Sequence, residues 1–137
     1  MGNDLKLRRW RYEDCLLLHS WRLHPDIRRW AGDQSEISLE IHENWFGRFM
    51  ADAGRYGFIL EAAGEPVAQI RFDPAELPGI YRISVSAAPG ATGRGYGSRI
   101  IRLGCASAEM QKAAALFVAE TMVENFTSLK VFQRNGF

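Results

Sequence analysis

Tyr81-Arg-Ile-Ser-Val-Ser-Ala-Ala-Pro89 runs directly into Gly90-Ala-Thr-Gly93-Arg-Gly95-Tyr-Gly97-Ser98 and then into Arg99-Ile-Ile-Arg-Leu-Gly-Cys105. Ile83 and Val85 alternate with Arg82, Ser84 and Ser86, the period of a half-buried strand. Pro89 ends that strand, because it has no N–H to give a neighbour. Glycines at 93, 95 and 97 remove the Cβ atoms that would hold a phosphate away from the backbone. The helix that follows aims its free N–H groups and positive dipole end at the same spot. The stretch therefore reads strand, Gly-rich turn, helix, and the turn is a pyrophosphate cradle.

Spacing separates the kinds of cradle. A dinucleotide fold places Gly-x-Gly-x-x-Gly after a strand near the chain start, with an acidic residue about 20 positions on. Here the pattern is Gly-x-Gly-x-Gly, it lies late in the chain, and Glu109 and Glu120 fall on the helix and past the next strand. A P-loop is excluded because no Gly-Lys-Ser/Thr follows. The glycines alone fit a surface turn that starts an ordinary helix; the strand and Pro89 before them, with the C-terminal segment, favour the cradle.

The 137 residues, 47% of them hydrophobic, predict one domain over 1–137 with a single core. A chain of this length buries roughly two-thirds of its unfolded surface. A net charge of +1 gives no electrostatic case for nucleic acid or an anionic membrane. No apolar run approaches the roughly 20 residues of a membrane span, and Met1-Gly-Asn-Asp4 lacks the features of a signal peptide, so a cytoplasmic location is expected. Cys15 and Cys105 lack metal-ligand spacing and sit in helical apolar patterns, which predicts two buried thiols and no metal site.

In chain order, Leu5-Lys-Leu7 predicts a first strand. A helix follows, with Glu13 and Asp14 in its first turn and Leu16, Leu17 and Trp21 at helical spacing; Pro25 breaks it near His24. Asp26 to Trp30 predicts a short helical turn, and Ser38 starts a helix to about Met50, with Trp45, Phe46 and Phe49 on its apolar stripe. Phe58–Leu60 and Val67–Phe72 predict an antiparallel hairpin turned at Ala63-Gly64-Glu65, and Asp73 to Gly79 a loop. After the central strand and one long helix, Leu116–Ala119 predicts a fifth strand, and Asn125 caps a last helix, Phe126 to Arg134.

Pro89 to Ile101 resembles the acetyl-CoA signature of the GCN5-related N-acetyltransferases: Gln or Arg, two free positions, Gly, one free position, then Gly or Ala. It falls on Thr92-Gly93-Arg94-Gly95-Tyr96-Gly97, followed by Ser98. Thr92 replaces the first cation, and Arg94 or Arg99 supplies comparable charge. The order of elements resembles that fold over nearly the whole chain: a mixed, mostly antiparallel α/β sheet flanked by helices. The resemblance implies an acceptor-side half over about 1–79 and an acetyl-CoA half over about 80–137. It also implies a strand pair that splays after the fourth strand. Backbone groups of Val85, Ser86 and Ala87 would then hold pantetheine, with Leu116–Ala119 opposite. Members usually continue with further strands past the final Gly-Phe, so either a truncated chain or a homodimer partner completing the sheet edge is expected.

The family also places a cofactor-contacting Asn, a Ser or Ala, and an acidic Tyr on the last helix. These fall on Asn125, Ser128 and Phe132, so the phenol is absent. Ser20-Trp21-Arg22, His24-Pro25, Ile37-Ser38, His42, Trp45-Phe46 and Val67–Asp73 are similar to acceptor-side segments of the acetyltransferases that act on a UDP-4-amino-4,6-dideoxy sugar. That similarity implies substrate contacts from Arg22 and His42, with Arg71 standing where a proposed base Ser is found. Asp73, two residues on and on the same strand face, and Ser86 are then the catalytic candidates, with Arg71 and Tyr81 lining the acceptor cleft. Plainer roles compete: Asp73 as a turn former, Arg22 as a helix cap, His42 as a solvated residue, Tyr81 facing solvent. Acetylation of a protein N-terminus or other small amine, and a non-catalytic acyl-CoA-binding module, are the competing functions.

Overall fold

The computed structural model describes residues 4–29 and 37–119, together with Gly136. Asn125, Phe132 and the last helix expected from the sequence lie outside the described residues, as does Trp30.

The chain begins with β1 (Leu5–Arg9), a 3-10 turn (Tyr12–Asp14), α1 (Cys15–Leu23) and α2 (Pro25–Arg28). After them come α3 (Leu39–Ala51), β2 (Tyr56–Ala62), β3 (Glu65–Pro74) and β4 (Ile80–Ala87). The described part ends with α4 (Tyr96–Cys105), α5 (Ala108–Ala113) and β5 (Leu116–Ala119). The strands form one sheet in the order β1-β2-β3-β4-β5, antiparallel throughout except for the parallel pairing of β4 with β5. The hairpin between β2 and β3 turns at Ala63 and Gly64, with φ of 51° and 84°. A two-residue turn with both φ positive matches the strands' own twist.

Helix starts follow local chemistry. Ser38 Oγ accepts from Ile41 N at 3.2 Å and starts α3, and Pro25 occupies the first turn of α2, where its missing N–H costs nothing. The single long helix expected after the glycine turn is two. Ser107 stops α4 and starts α5 by accepting from Met110 N at 3.3 Å, while its own hydroxyl donates to Gly104 O at 2.7 Å. A serine in this position competes with the helix for backbone partners, which is why the apolar pattern alone overran it.

The expected single core is divided in two by the sheet. On one face Phe58, Leu60, Ile70, Phe72, Tyr81 and Ile83 pack against Ile100, Ile101 and Met110 of α4 and α5. Gly104 lets α4 approach: a Cβ there would lie 3.2 Å from Ile70. On the other face Ile59 packs under Trp10, Leu18, Trp21, Phe46 and Phe49, the layer built by α1 and α3. Both cysteines are half-buried rather than buried; burial pushes the Cys105 thiol up to about 11. No described helix is long and apolar enough to cross a membrane.

Candidate functional site

Three features meet at β4. The first is the glycine turn. Gly90, Gly93 and Gly95 have φ of 83°, 84° and 80°, a left-handed conformation that glycine adopts at little cost. Gly97 is different. Its φ is not positive, and a Cβ added there would touch nothing within 4 Å among the described residues, so neither backbone strain nor their packing accounts for it. Glycine so early in a helix is disfavoured unless something outside the chain must come close.

The second feature is the start of α4 itself. Gly95, its N-cap, has no side chain to cap it. Arg99 N, which donates to Gly95 O at 3.2 Å, makes the first bond of the helix, so the N–H groups of Tyr96 and Gly97 have no partner within the helix. These donors and the helix dipole favour an anion, with Arg94 and Arg99 exposed nearby. Thr92 is exposed in the turn, whereas Tyr96 packs against both cores and Ser98 is 7% exposed.

The third feature is the outer edge of β4. Ala88 N donates to Val67 O at 2.8 Å, which fixes the direction of the alternating backbone groups. Ser84 and Ser86 direct their N–H and C=O groups towards β3, and Val85 and Ala87 direct theirs the other way. β5 pairs with β4 only from Ile80 to Ile83. Among the described residues, the backbone groups of Val85 and Ala87 therefore face an open edge that leads into the glycine turn. Of the three residues expected there, Ser86 directs its backbone to β3, and its hydroxyl accepts from Gln69 Nε2 at 3.0 Å.

Beside this edge, on the α1 and α3 face of the sheet, Gln69, Arg71 and Asp73 of β3 lie opposite Ser86, Ser84 and Arg82 of β4. Trp45 borders this polar strip between two cations: the guanidinium carbon of Arg22 lies 5.6 Å from its ring centre and that of Arg71 5.2 Å. Arg22 and Arg71, far apart in sequence, thus meet at one indole. Asp73 belongs to β3 rather than to a loop, and it binds two cations, Arg55 through Oδ1 and Arg71 Nε through Oδ2 at 2.7 Å. A carboxylate with both oxygens engaged by guanidiniums anchors Arg71 and is poorly placed to take a proton directly.

Two expected substrate contacts lie elsewhere. His42 is only 1% exposed, its Nε2 donates to Cys15 O at 2.9 Å, and its ring lies 4.9 Å from that of His19. It joins α1 to α3 and does not reach the strip, because its position on α3 turns inward with Phe46 and Phe49. Burial lowers its pKa, outweighing the bond to Cys15, and the charges of His19 and Arg22 push the same way. Tyr81 points through the other face of the sheet, where it is 9% exposed and meets Tyr56 edge-on at 6.1 Å. Burial raises its pKa. Strand parity put Tyr81 opposite Arg82, and only the register shows which of the two faces the strip.

An uncapped helix start thus lies beside a strand edge that is open among the described residues, with a separate polar strip across the strand. The chain belongs to the acetyltransferase (GNAT) domain family, whose family model matches residues 4–137. No curated protein matches. Among solved structures, the aminoglycoside acetyltransferase AAC(6')-Ib in complex with coenzyme A is similar at 18% identity and a TM-score of 0.82, covering 97% of this chain and 83% of that one. Spermidine N-acetyltransferase from Vibrio cholerae, in complex with CoA and spermine, is similar at 17% identity and 0.82, covering 97% and 80%. A domain from Methanocaldococcus jannaschii DSM 2661 is similar at 21% identity and 0.80, covering 97% and 87%. These likenesses establish the fold.

Proposed function

We propose that this chain moves the acetyl group of acetyl-CoA directly to a primary amine, the amino group of a UDP-linked amino-deoxy sugar. The observation that carries the donor is Gly97: a helical glycine in an uncapped first turn with, among the described residues, open space above it and an open edge at Val85 and Ala87 beside it. The N–H groups of Tyr96 and Gly97 would hold the diphosphate, Thr92, Gly93, Arg94, Gly95 and Ser98 would line its turn, and the edge of β4 would hold the pantetheine amides. Acetyl-CoA supplies an acetyl group activated as a thioester.

The acceptor reading rests on charge. Arg22 and Arg71 flank Trp45, and Asp73, the carboxylate in the strip, is committed to Arg55 and Arg71. Such a surface suits an acceptor that carries phosphates and a ring able to stack, and it repels a polycation. Asp73 serves here by holding Arg71 in place.

Calorimetry with acetyl-CoA, followed by thiol release with a UDP-4-amino-4,6-dideoxy sugar or with spermine, tests both halves. Heat of binding and faster release with the sugar nucleotide are expected. No heat would end the donor reading, and faster release with spermine would end the acceptor reading while leaving the donor intact.

A further inference from the structure

The transfer needs a proton taken from the amine nitrogen and a proton given to the departing sulfur. The family's phenol position is Phe132, a side chain with no proton to give. Asp73 has both oxygens bonded to guanidiniums. His42 is buried away from the strip. Among the described residues, Ser86 carries a hydroxyl beside the edge, between Val85 and Ala87, which present the edge backbone.

Ser86 is not an isolated serine. It stands directly opposite Gln69 in the β3–β4 register, and Gln69 Nε2 donates to its Oγ at 3.0 Å. Among the described residues this is the one bond the Ser86 hydroxyl makes. A hydroxyl has one proton to donate and two lone pairs. Gln69 fills one lone pair, so the proton and the second lone pair of Oγ stay available, and the rotor is held.

We infer that the Gln69–Ser86 pair is a proton relay for acetyl transfer, an inference that rests on the acetyl-CoA reading above. A bond forms between the amine nitrogen and the thioester carbonyl carbon, and the carbon–sulfur bond breaks. The second lone pair of Ser86 Oγ takes the proton that the nitrogen sheds as its own proton passes to sulfur. Serine begins and ends neutral, so a hydroxyl too weak to act as a free acid or base is sufficient. The electron pair of the broken bond leaves with sulfur, and the products are an N-acetyl amine and a thiol. Gln69 is the positioning residue: it supplies a donor, so Oγ accepts towards β3 and its own proton is not spent on Gln69.

The test uses acetyl-CoA with hydroxylamine as a small nucleophile, so that the identity of the natural acceptor does not enter. Ser86→Ala is expected to lower kcat on the order of a hundredfold, with KM for acetyl-CoA unchanged. Gln69→Glu, nearly isosteric but unable to donate, is expected to lose as much, and the double variant no more than either alone. Ser86→Thr, which keeps the hydroxyl, restores most of the rate. The solvent isotope effect on kcat, present in the wild type, falls in Ser86→Ala. Full activity in Gln69→Glu, additive losses, an unchanged isotope effect, or a wild type that binds acetyl-CoA without accelerating thiol release would each overturn the relay. A wild type that binds no acetyl-CoA would overturn the donor reading, and the relay with it.

Discussion

Gly57 lies flat beneath the indole of Trp10: a Cβ at this position would stand 2.2 Å from Trp10 Cδ2. The indole has nowhere to go. Its Nε1 donates to Phe58 O at 3.2 Å, and its ring meets those of Phe46 at 5.7 Å and Phe49 at 4.8 Å. Gly57→Ala is therefore expected to destabilise the domain by roughly 2 kcal/mol, read as a lower urea midpoint at unchanged m-value. An unshifted midpoint would mean that the helical layer slides freely over the sheet.

Arg8 ties three segments together. Its Nη1 and Nη2 each donate to Asp14 at 2.8 Å and its Nε donates to Glu61 at 2.8 Å, while Asp14 also accepts from Arg11 N at 2.7 Å. Burial alone would raise the Asp14 pKa, but the bonds from Arg8 and Arg11 outweigh it and hold the carboxyl below its ordinary value. An acid whose folded pKa is depressed contributes stability above its unfolded pKa of about 3.9 and loses it as pH falls through the folded value. Asp14→Asn is expected to cost roughly 3 kcal/mol at pH 7. The gap between variant and wild type should narrow in urea titrations below about pH 4.

His42 gives a separate acid sensitivity. Its Nδ1 is buried without a partner among the described residues, and its pKa is lowered, chiefly by burial. The unfolded chain takes up a proton below about pH 6.5, before the folded one can, so stability is present above that pH and falls below it. His42→Phe, which binds no proton, is expected to flatten the stability profile below about pH 6.5. An equally steep profile in the variant would assign the slope to another group.

Gly97→Ala separates folding from binding. Alanine meets no atom of the described residues within 4 Å there, so helix propensity predicts a gain of up to about 1 kcal/mol in stability. The same methyl group stands over the first-turn amides and should weaken acetyl-CoA binding, measured by calorimetry. A variant both more stable and equally tight would remove Gly97 from the site.

What could be read from the chain was local. The alternation around Ile83 and Val85, the glycines of the turn, Ser38 and Pro25 each act within a few residues, and the elements they specify are present. What escaped depends on which way a residue faces or on partners distant in sequence. His42 and Tyr81 fit either side of their elements until the packing is known. Asp73 looked available because Arg55, 18 residues away, enters only through the β2–β3 pairing. The Gln69–Ser86 pair spans 17 positions and needs the β3–β4 register to be seen at all.

Among the described residues the parallel pairing of β4 with β5 stops at Ile83, and this has a further consequence. A strand end with unmatched amides is a template for any extended chain, including a second molecule of the same protein. An extended pantetheine arm, with amides of its own, would occupy that template as a surrogate strand. Its arrival would then protect against self-association as well as deliver the group to be transferred.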